Sequence, residues 1–220
     1  MKTIILNASP RKNQNTAKLL KSAAKGALDA GGEVEYFDLY SLKFTGCRSC
    51  MLCKRKNVER CHCYWKDDLS SIIDKVFNAD NLIIGTPLYL GRPTSQYFAF
   101  MERLHFSSLS YDDYSNYFTG SVNVGMFVTM NATEDIYNKL YKDEFEKYKE
   151  EFQILNGKTV FYPCYNTLQV ADYSKFNMSS FDENKKNAYH DKQFPKDFRK
   201  SISYWKRTWL LIQAAITIFK

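Results

Sequence analysis

The segment MKTIILNASPRKNQNTAKLLKSAAKGALDAGGEVEYFDLY, residues 1–40, determines the predicted fold. It begins with a short apolar run, Thr3 to Leu6, and continues into a segment whose apolar side chains recur every three or four residues, as on one face of a helix. Gly31 and Gly32 end that helix, and apolar and acidic residues then alternate from Glu33 to Tyr40, as in an edge strand. The chain therefore opens with a strand, a helix and a second strand.

Three more strands are predicted further along the chain. They lie at about Asn81 to Thr86, Val122 to Met130 and Lys158 to Tyr165, and segments with helical spacing separate them. One of these segments, after Asn131 and Glu134 as a capping box, predicts a single long helix through residue 152. Because right-handed crossovers cover both faces of a sheet, we expect a doubly wound α/β fold with five parallel strands in the order 2-1-3-4-5.

The length of 220 residues, of which 45% are hydrophobic, suits one core, so we predict a single domain over residues 1–220. Two irregular features interrupt it: a cysteine-rich loop at about 44–66 and a polar insertion at about 172–195. The last helix is predicted to close over the sheet with an apolar stripe of Ile202, Trp205, Trp209, Ile212, Ile216 and Phe219.

The net charge of +7 favours contact with anions, such as a phosphorylated cofactor, an acidic partner or nucleic acid. The basic residues at 185–200 are interspersed with acidic residues, so we do not expect nucleic-acid binding. The apolar stretch from Trp209 to Phe219 is well short of the roughly 20 residues that a membrane span needs, and no secretory signal precedes the first strand. We predict a cytoplasmic protein without a membrane partner.

The loop after the first strand, Asn7 to Thr16, offers the most specific binding signal. Ligands of open parallel sheets bind where the strands end, and this loop combines hydroxyl and amide side chains, a guanidinium and the positive end of a helix. That combination suits a single phosphate. Neither G-x-G-x-x-G nor a Walker loop occurs in the sequence. The alternative is an ordinary polar turn.

The loop after the third strand, Gly85 to Pro93, offers backbone groups and the face of Tyr89. A flat heteroaromatic ring can lie on such a loop. The alternative is that the tyrosine only packs, as tyrosines in loops with Pro and Gly commonly do.

A third candidate is the cysteine loop, in which Cys47-x-x-Cys50-x-x-Cys53 is followed, after seven residues, by Cys61, with Cys63 close behind. In a reducing compartment, such crowding favours metal, cluster or thiol chemistry over a disulfide framework.

Together these segments resemble the flavodoxin-like NADPH-dependent FMN reductase family, and in particular its iron–sulfur flavoprotein branch, over roughly the first 130 residues. The resemblance implies a flavodoxin-like fold. It also implies that the first loop grips the FMN phosphate through Ser9, Arg11, Asn15 and Thr16. The second loop would border the flavin ring through Pro87, Leu88, Tyr89 and Gly91.

The cysteine loop resembles the motif by which the iron–sulfur branch holds a [4Fe–4S] cluster, which implies Cys47, Cys50, Cys53 and Cys61 as ligands. The spacing to Cys61 is long, and Cys63 competes for the fourth position. Plain thiols and a zinc site with His62 are the alternatives. The surrounding basic residues would offset the charge of a cluster, or lower the pKa of thiols if none is bound.

These observations predict an FMN-dependent oxidoreductase that takes electrons from NAD(P)H or another donor and passes them to a small-molecule acceptor or a redox partner protein. Because the flavin carries the chemistry, no catalytic side chain is assigned. Members of the family usually pair as homodimers, so we expect a homodimer or a higher homo-oligomer. The alternatives are an iron–sulfur flavoprotein electron carrier without a dedicated substrate, and a zinc or thiol sensor that binds nucleic acid.

Overall fold

The structure, a computed structural model, describes residues 1–218 and the side chains of residues 1–203. The predicted apolar stripe of the last helix lies outside the described side chains from Trp205 onward. Five strands form one sheet: β1 (Lys2–Asn7), β2 (Glu33–Asp38), β3 (Asn81–Pro87), β4 (Val122–Thr129) and β5 (Asn156–Cys164). The helices between and after them are α1 (Asn15–Asp29), α2 (Ser70–Phe77), α3 (Ser95–Ser108), α4 (Glu134–Leu140), α5 (Lys142–Glu150) and α6 (Glu183–Ile218).

All neighbouring strands are parallel, and their order is β2-β1-β3-β4-β5, which confirms the predicted topology. The central strands β1 and β3 are almost wholly buried, whereas β2 at the edge is only half-buried. Helices cover both faces: α1 packs on one through Leu19, Leu20 and Ala23, and α2 to α5 enclose the larger core on the other. The fold is thus the flavodoxin-like α/β arrangement.

Gly85 in β3 allows α1 to lie close to the sheet. A Cβ at this position would lie 2.7 Å from Leu20 Cδ1 and 2.9 Å from Thr16 Cγ2, closer than side-chain carbons normally approach. This contact fixes the first turn of α1 over the carboxyl end of β3, where the ligand site is expected.

The prediction of a single long helix after Asn131 was wrong in two respects. A different residue caps the helix, and the helix is not continuous. Thr133 caps α4, because its hydroxyl accepts a hydrogen bond from the Ile136 N–H at 3.4 Å. Tyr141 departs from helical backbone angles and separates α4 from α5, and a 3₁₀ turn follows over Glu151–Leu155. Side-chain periodicity continues across such a break, so the sequence pattern did not reveal it.

The prediction of an irregular insertion over 172–195 was also wrong in its second half, because α6 begins at Glu183. The carboxylate of Asp182 accepts a hydrogen bond from the Lys185 N–H at 3.0 Å and so caps the helix. Pro195 lies inside the helix.

Within the described residues, no helix combines the length and the apolar character that crossing a bilayer requires.

Candidate functional site

A groove lies at the carboxyl edge of the sheet, where the loops after β1, β3, β4 and β5 meet. Its volume is about 90 Å³. The residues that line it are Ser9, Arg11, Gln14, Asn15, Thr16, Pro87, Leu88, Tyr89, Thr129, Met130, Asn131, Thr167, Leu168 and Gln169. Seven of the eight residues assigned to the flavin from the sequence are therefore brought together.

The first loop is shaped by short local hydrogen bonds. The Ser9 N–H donates to Asn7 Oδ1 at 3.1 Å, and the Arg11 N–H donates to Ser9 Oγ at 3.2 Å. Gln14 at the start of α1 supplies no side-chain hydrogen bond to the first turn. The N–H groups of that turn are thus left without a capping side chain, which makes this end of the helix a site for an anion.

The other predicted residues of this loop reach across to neighbouring strands. Arg11 donates from its guanidinium to the Gln169 carbonyl, and Asn15 Nδ2 donates to the Leu168 carbonyl at 2.7 Å. The hydroxyls of Thr16 and Thr129 are 2.8 Å apart in the buried floor. The groove therefore closes on the loop after β5 as well.

The second loop forms a tight turn beside the groove. Tyr89 and Arg92 exchange backbone hydrogen bonds of 2.8 and 3.0 Å, and Leu90 and Gly91 between them have positive φ angles of 49° and 84°. Gly91, assigned to the flavin from the sequence, does not line the groove. A Cβ on it would lie 3.0 Å from the ring of Tyr141, and glycine fits both the turn and this contact.

The family resemblance implies flavin contacts from the loop after β4 as well, but Thr129 to Ala132 lacks a clear signature glycine and was assigned only weakly. Sequence reasoning missed the loop after β5. Asn131 lines the groove, and its Oδ1 is buried without a hydrogen-bond partner among the described residues. A buried acceptor of this kind fits a ligand that donates to it, as a flavin N–H does. The polar residues Thr167 and Gln169, shortly after the fifth predicted strand, could have indicated that the loop after β5 lines the groove.

In the cysteine loop, four thiols surround one small cavity of about 20 Å³: Cys47, Cys50, Cys53 and Cys63. Cys61, the fourth ligand expected from the resemblance, does not line this cavity. The structure thus groups Cys63 with the C-x-x-C-x-x-C segment.

Arg103 of α3 fixes this arrangement from below. Its side chain is 1% exposed, and its Nη1 pairs with the Asp67 carboxylate at 2.6 Å. Its Nε donates to the sulfur of Cys63 at 3.2 Å. Remaining hydrogen bonds from the guanidinium reach the Thr45 and Trp65 carbonyls and Ser70 Oγ.

The basic residues of the loop do not activate its buried thiols. Burial raises the pKa of Cys53, and it raises the pKa of Cys61 to about 11, although Lys54 opposes both shifts. Lys54 itself donates to the carbonyls of Phe106 and Leu109 at the end of α3. The expectation of lowered thiol pKa values is therefore wrong for these two cysteines.

The zinc alternative requires His62, but His62 Nδ1 lies 2.8 Å from the Asp74 carboxylate. In the part of the chain that the structure describes, no three His, Cys, Asp or Glu side chains converge on the position of a single metal ion. The ligand atoms of an iron–sulfur cluster stand further apart than those of a single ion, and the thiol donors present are of the type that such a cluster uses.

Comparison with solved structures finds the same fold in other proteins. An NAD(P)H:quinone oxidoreductase from Methanothermobacter marburgensis superposes with a TM-score of 0.66 over 93% of this chain and 96% of its own, at 13% identity. An azoreductase from Bacillus anthracis also gives a TM-score of 0.66, over 94% and 99% of the two chains, at 10% identity. At these identities the likeness concerns the fold alone.

Sequence relatives carry more specific names. An iron–sulfur flavoprotein of Methanocaldococcus jannaschii is 32% identical over 103 residues, 47% of this chain and 51% of the relative. One of Archaeoglobus fulgidus is 34% identical over 94 residues, 43% and 44% of the two chains. The matches thus span about half the length of these curated relatives. The model of the NADPH-dependent FMN reductase family matches residues 1–141, more than half of the chain, and the chain therefore belongs to that family.

Proposed function

We propose that this protein is an FMN-dependent oxidoreductase that takes electrons from NAD(P)H and passes them to a small acceptor. The proposal rests on the groove. The uncapped end of α1, the guanidinium-bearing Arg11 and the hydroxyl-bearing Ser9 and Thr16 line it together with the half-exposed Tyr89. Family membership and the reductase fold support it.

The first loop would hold the phosphate of FMN. The first-turn N–H groups of α1 offer the hydrogen bonds and Arg11 the countercharge, so a doubly charged phosphate is stabilised more strongly than a neutral hydroxyl.

The ring would lie toward the second loop. Leu88 and Tyr89 provide an apolar and an aromatic surface, and the Leu88 N–H is already bonded to the Thr129 carbonyl at 2.9 Å, which fixes the loop. Asn131 Oδ1 is the unpartnered acceptor on the same wall. When bound, FMN accepts a hydride from a reduced nicotinamide and releases electrons to an acceptor.

Stopped-flow reduction of the FMN-loaded protein under anaerobic conditions tests the activity. We expect NADPH or NADH to bleach the flavin absorbance rapidly, and an added small acceptor to restore this absorbance. A loaded protein that stays yellow with both nucleotides would favour the alternative function, that of an electron carrier without a dedicated substrate.

We also propose that the cysteine loop holds a [4Fe–4S] cluster. The four thiols around one cavity and the names of the relatives support this. The cavity among these thiols has a volume of about 20 Å³. Cys47, Cys50 and Cys53 would supply three ligands.

The fourth ligand is tested by comparing Cys63→Ser with Cys61→Ser after anaerobic purification. The grouping around Arg103 predicts that Cys63→Ser loses iron and acid-labile sulfide, whereas Cys61→Ser keeps both. The reverse result would assign Cys61, as the spacing of the motif implies. Absence of iron from the unaltered protein would leave plain thiols.

A homodimer is proposed as the assembly, as expected for the family. Leu90, at the tip of the second loop, is fully exposed beside the groove, and Leu140 of α4 is 60% exposed. Light scattering of Leu90→Asp against the unaltered protein tests whether this tip lies in the contact between two copies.

A further inference from the structure

An outer cavity of about 550 Å³ adjoins the groove at the first loop, and its volume is in the range of small-molecule sites. Arg11, Gln14 and Gln169 line both the groove and the outer cavity. The other residues of the outer cavity are Lys12, Asn13, Val170, Ala171, Asp172, Lys175 and Phe176. None of the second-loop residues that line the groove is among them. The outer cavity therefore continues from the end of the groove where the phosphate is proposed to bind, away from the loop proposed to border the flavin ring.

The segment after Gln169 forms one wall of the outer cavity and is anchored by the buried Tyr173. The Tyr173 hydroxyl accepts a hydrogen bond from the Gln169 N–H at 3.1 Å, and the Tyr173 N–H donates to Glu183 Oε1 at 3.4 Å. A 3₁₀ turn over Tyr173–Lys175 continues the wall toward Phe176. The shape of this wall is thus set by contacts within the chain.

The outer cavity carries an excess of positive charge. Lys175 Nζ pairs with the Asp172 carboxylate at 3.1 Å, so the charges of these two lining residues balance each other. Arg11 and Lys12 make no ion pair among the residues that the structure describes. The Arg11 guanidinium donates to the Gln169 carbonyl, a residue that both cavities share. Two cations without a carboxylate partner therefore lie where a second phosphate, next to the one proposed in the groove, would be stabilised.

Phe176 adds an aromatic surface to the same cavity. The residue is 53% exposed and belongs to neither of the two apolar cores. A nucleobase stacks readily on an aromatic side chain of this kind, whatever its hydrogen-bonding pattern. Unpaired cations beside an exposed ring together suit an adenosine phosphate, whose charge and base need these two kinds of contact.

We propose that the outer cavity binds the adenylate half of FAD, and that the protein takes FAD in preference to FMN. The inference rests on the proposed function, because the flavin half of FAD has the structure of FMN and would occupy the groove in the same way. The second phosphate of FAD would contact Lys12 beside Arg11, and the adenine would stack on Phe176. A nicotinamide nucleotide suits the outer cavity less well, because its reactive ring has to reach the flavin ring near the second loop.

Calorimetric titration of the flavin-free protein with FMN and with FAD tests the inference. The two ligands share the flavin and its first phosphate, and only FAD carries an adenylate. We expect FAD to bind about tenfold more tightly, because it adds a stacked ring and a charge-assisted contact. Phe176→Ala and Lys12→Met should each remove most of this preference and leave the affinity for FMN unchanged. Since the Phe176 side chain lies outside both cores, its removal should not impair folding.

Phe198→Ala and Lys18→Met are the matched controls. Each removes an exposed side chain of the same kind as the test variant, from a residue that lines neither the groove nor the outer cavity. Neither control should change the ratio of the FAD and FMN affinities.

The contrary outcomes can be told apart. FMN binding without a preference for FAD, or a preference that both test variants retain, would overturn the inference and leave the proposed function standing. If Phe176→Ala leaves FAD binding unchanged but weakens NADPH binding to the FMN-loaded protein, the outer cavity serves the nicotinamide nucleotide and the inference is wrong. Failure of both flavins to bind would contradict the proposed function itself, and the inference with it.

Discussion

At the scale of single residues, Arg103 is the clearest example of a buried charge that is fully used. Its guanidinium makes hydrogen bonds to a carboxylate, a thiol, a hydroxyl and two backbone carbonyls, all from the segment between Thr45 and Ser70. A buried charge is tolerated only when it is paired and hydrogen-bonded in this way. Arg103 therefore fastens the cysteine loop to α3.

Replacing Arg103 by Met should lower the free energy of unfolding by about 3–5 kcal/mol, because Asp67 is then left as a nearly buried charge without its partner. Urea unfolding measures the change. Lys25→Met removes a solvent-exposed ion pair with Asp29 and should cost less than about 1 kcal/mol. Equal losses in the two variants would contradict the role given to Arg103.

The sequence predicted some of these residues and not others for a physical reason. Ser9, Arg11 and Thr16 follow a strand directly, and the end of a parallel strand is a binding position whatever the rest of the chain does. Arg103 meets Cys63 and Asp67 only after the loop folds back on α3, a contact between positions about 40 residues apart in the sequence. No local pattern encodes that contact.

At the scale of elements, α1 and α6 are held together by small residues. A Cβ on Gly26 would lie 2.8 Å from the Ile202 carbonyl oxygen. The hydroxyl of Ser201 donates a hydrogen bond to Ser22 Oγ at 3.0 Å. The backbones of the two helices can approach each other closely only because these side chains are small.

Gly26→Val should therefore push α6 away from α1 and destabilise the protein by about 1–3 kcal/mol. Thermal unfolding measures the effect, and Lys25→Val, an exposed substitution in the same turn, controls for the lower helix propensity of valine. If both variants melt at the same temperature, the helices do not need this close approach.

Glu35 ties three elements together, since its carboxylate lies 3.0 Å from Lys2 Nζ of β1 and 2.5 Å from Lys75 Nζ of α2. The hydrogen bond from Lys75, with that from Lys2, lowers the pKa of Glu35. The stabilisation is then complete above the ordinary glutamate pKa of about 4.3 and disappears as the pH falls through the lowered value.

Glu35→Gln should accordingly be less stable than the unaltered protein at pH 6, and the difference should shrink between pH 4 and pH 2. Urea unfolding across this range checks the trend, with Glu33→Gln as a control at an exposed position of the same strand. A difference that stays constant with pH would show that the ion pairs are not its source.

Element order was predictable because alternating strands and helices allow few compact topologies. Breaks within helices were less predictable from the sequence. Tyr141 interrupts a continuous apolar period, and Pro195 does not interrupt α6. In both cases packing against the rest of the protein, rather than local propensity, decides the outcome.

In the whole molecule, four loops meet at one edge of the sheet, and all four are needed to form the groove. The loops after β1 and β3 were singled out as candidates from the sequence, the loop after β4 was assigned only weakly, and the loop after β5 completes the wall through Thr167 to Gln169. Two further cavities lie around the cysteine loop, outside the groove. The groove at the carboxyl edge of the sheet, where we propose that the phosphate of FMN binds, is thus separate from the thiol-bearing side of the molecule.

We propose that the loop between β1 and α1 binds the phosphate of FMN, and titration of the flavin-free protein with FMN and with riboflavin tests this. Flavin fluorescence reports binding, and the two ligands differ only in the phosphate. FMN should bind at least tenfold more tightly than riboflavin, and Arg11→Met should remove most of this preference without weakening riboflavin binding. Equal binding of the two flavins, or no quenching by the unaltered protein, would contradict it.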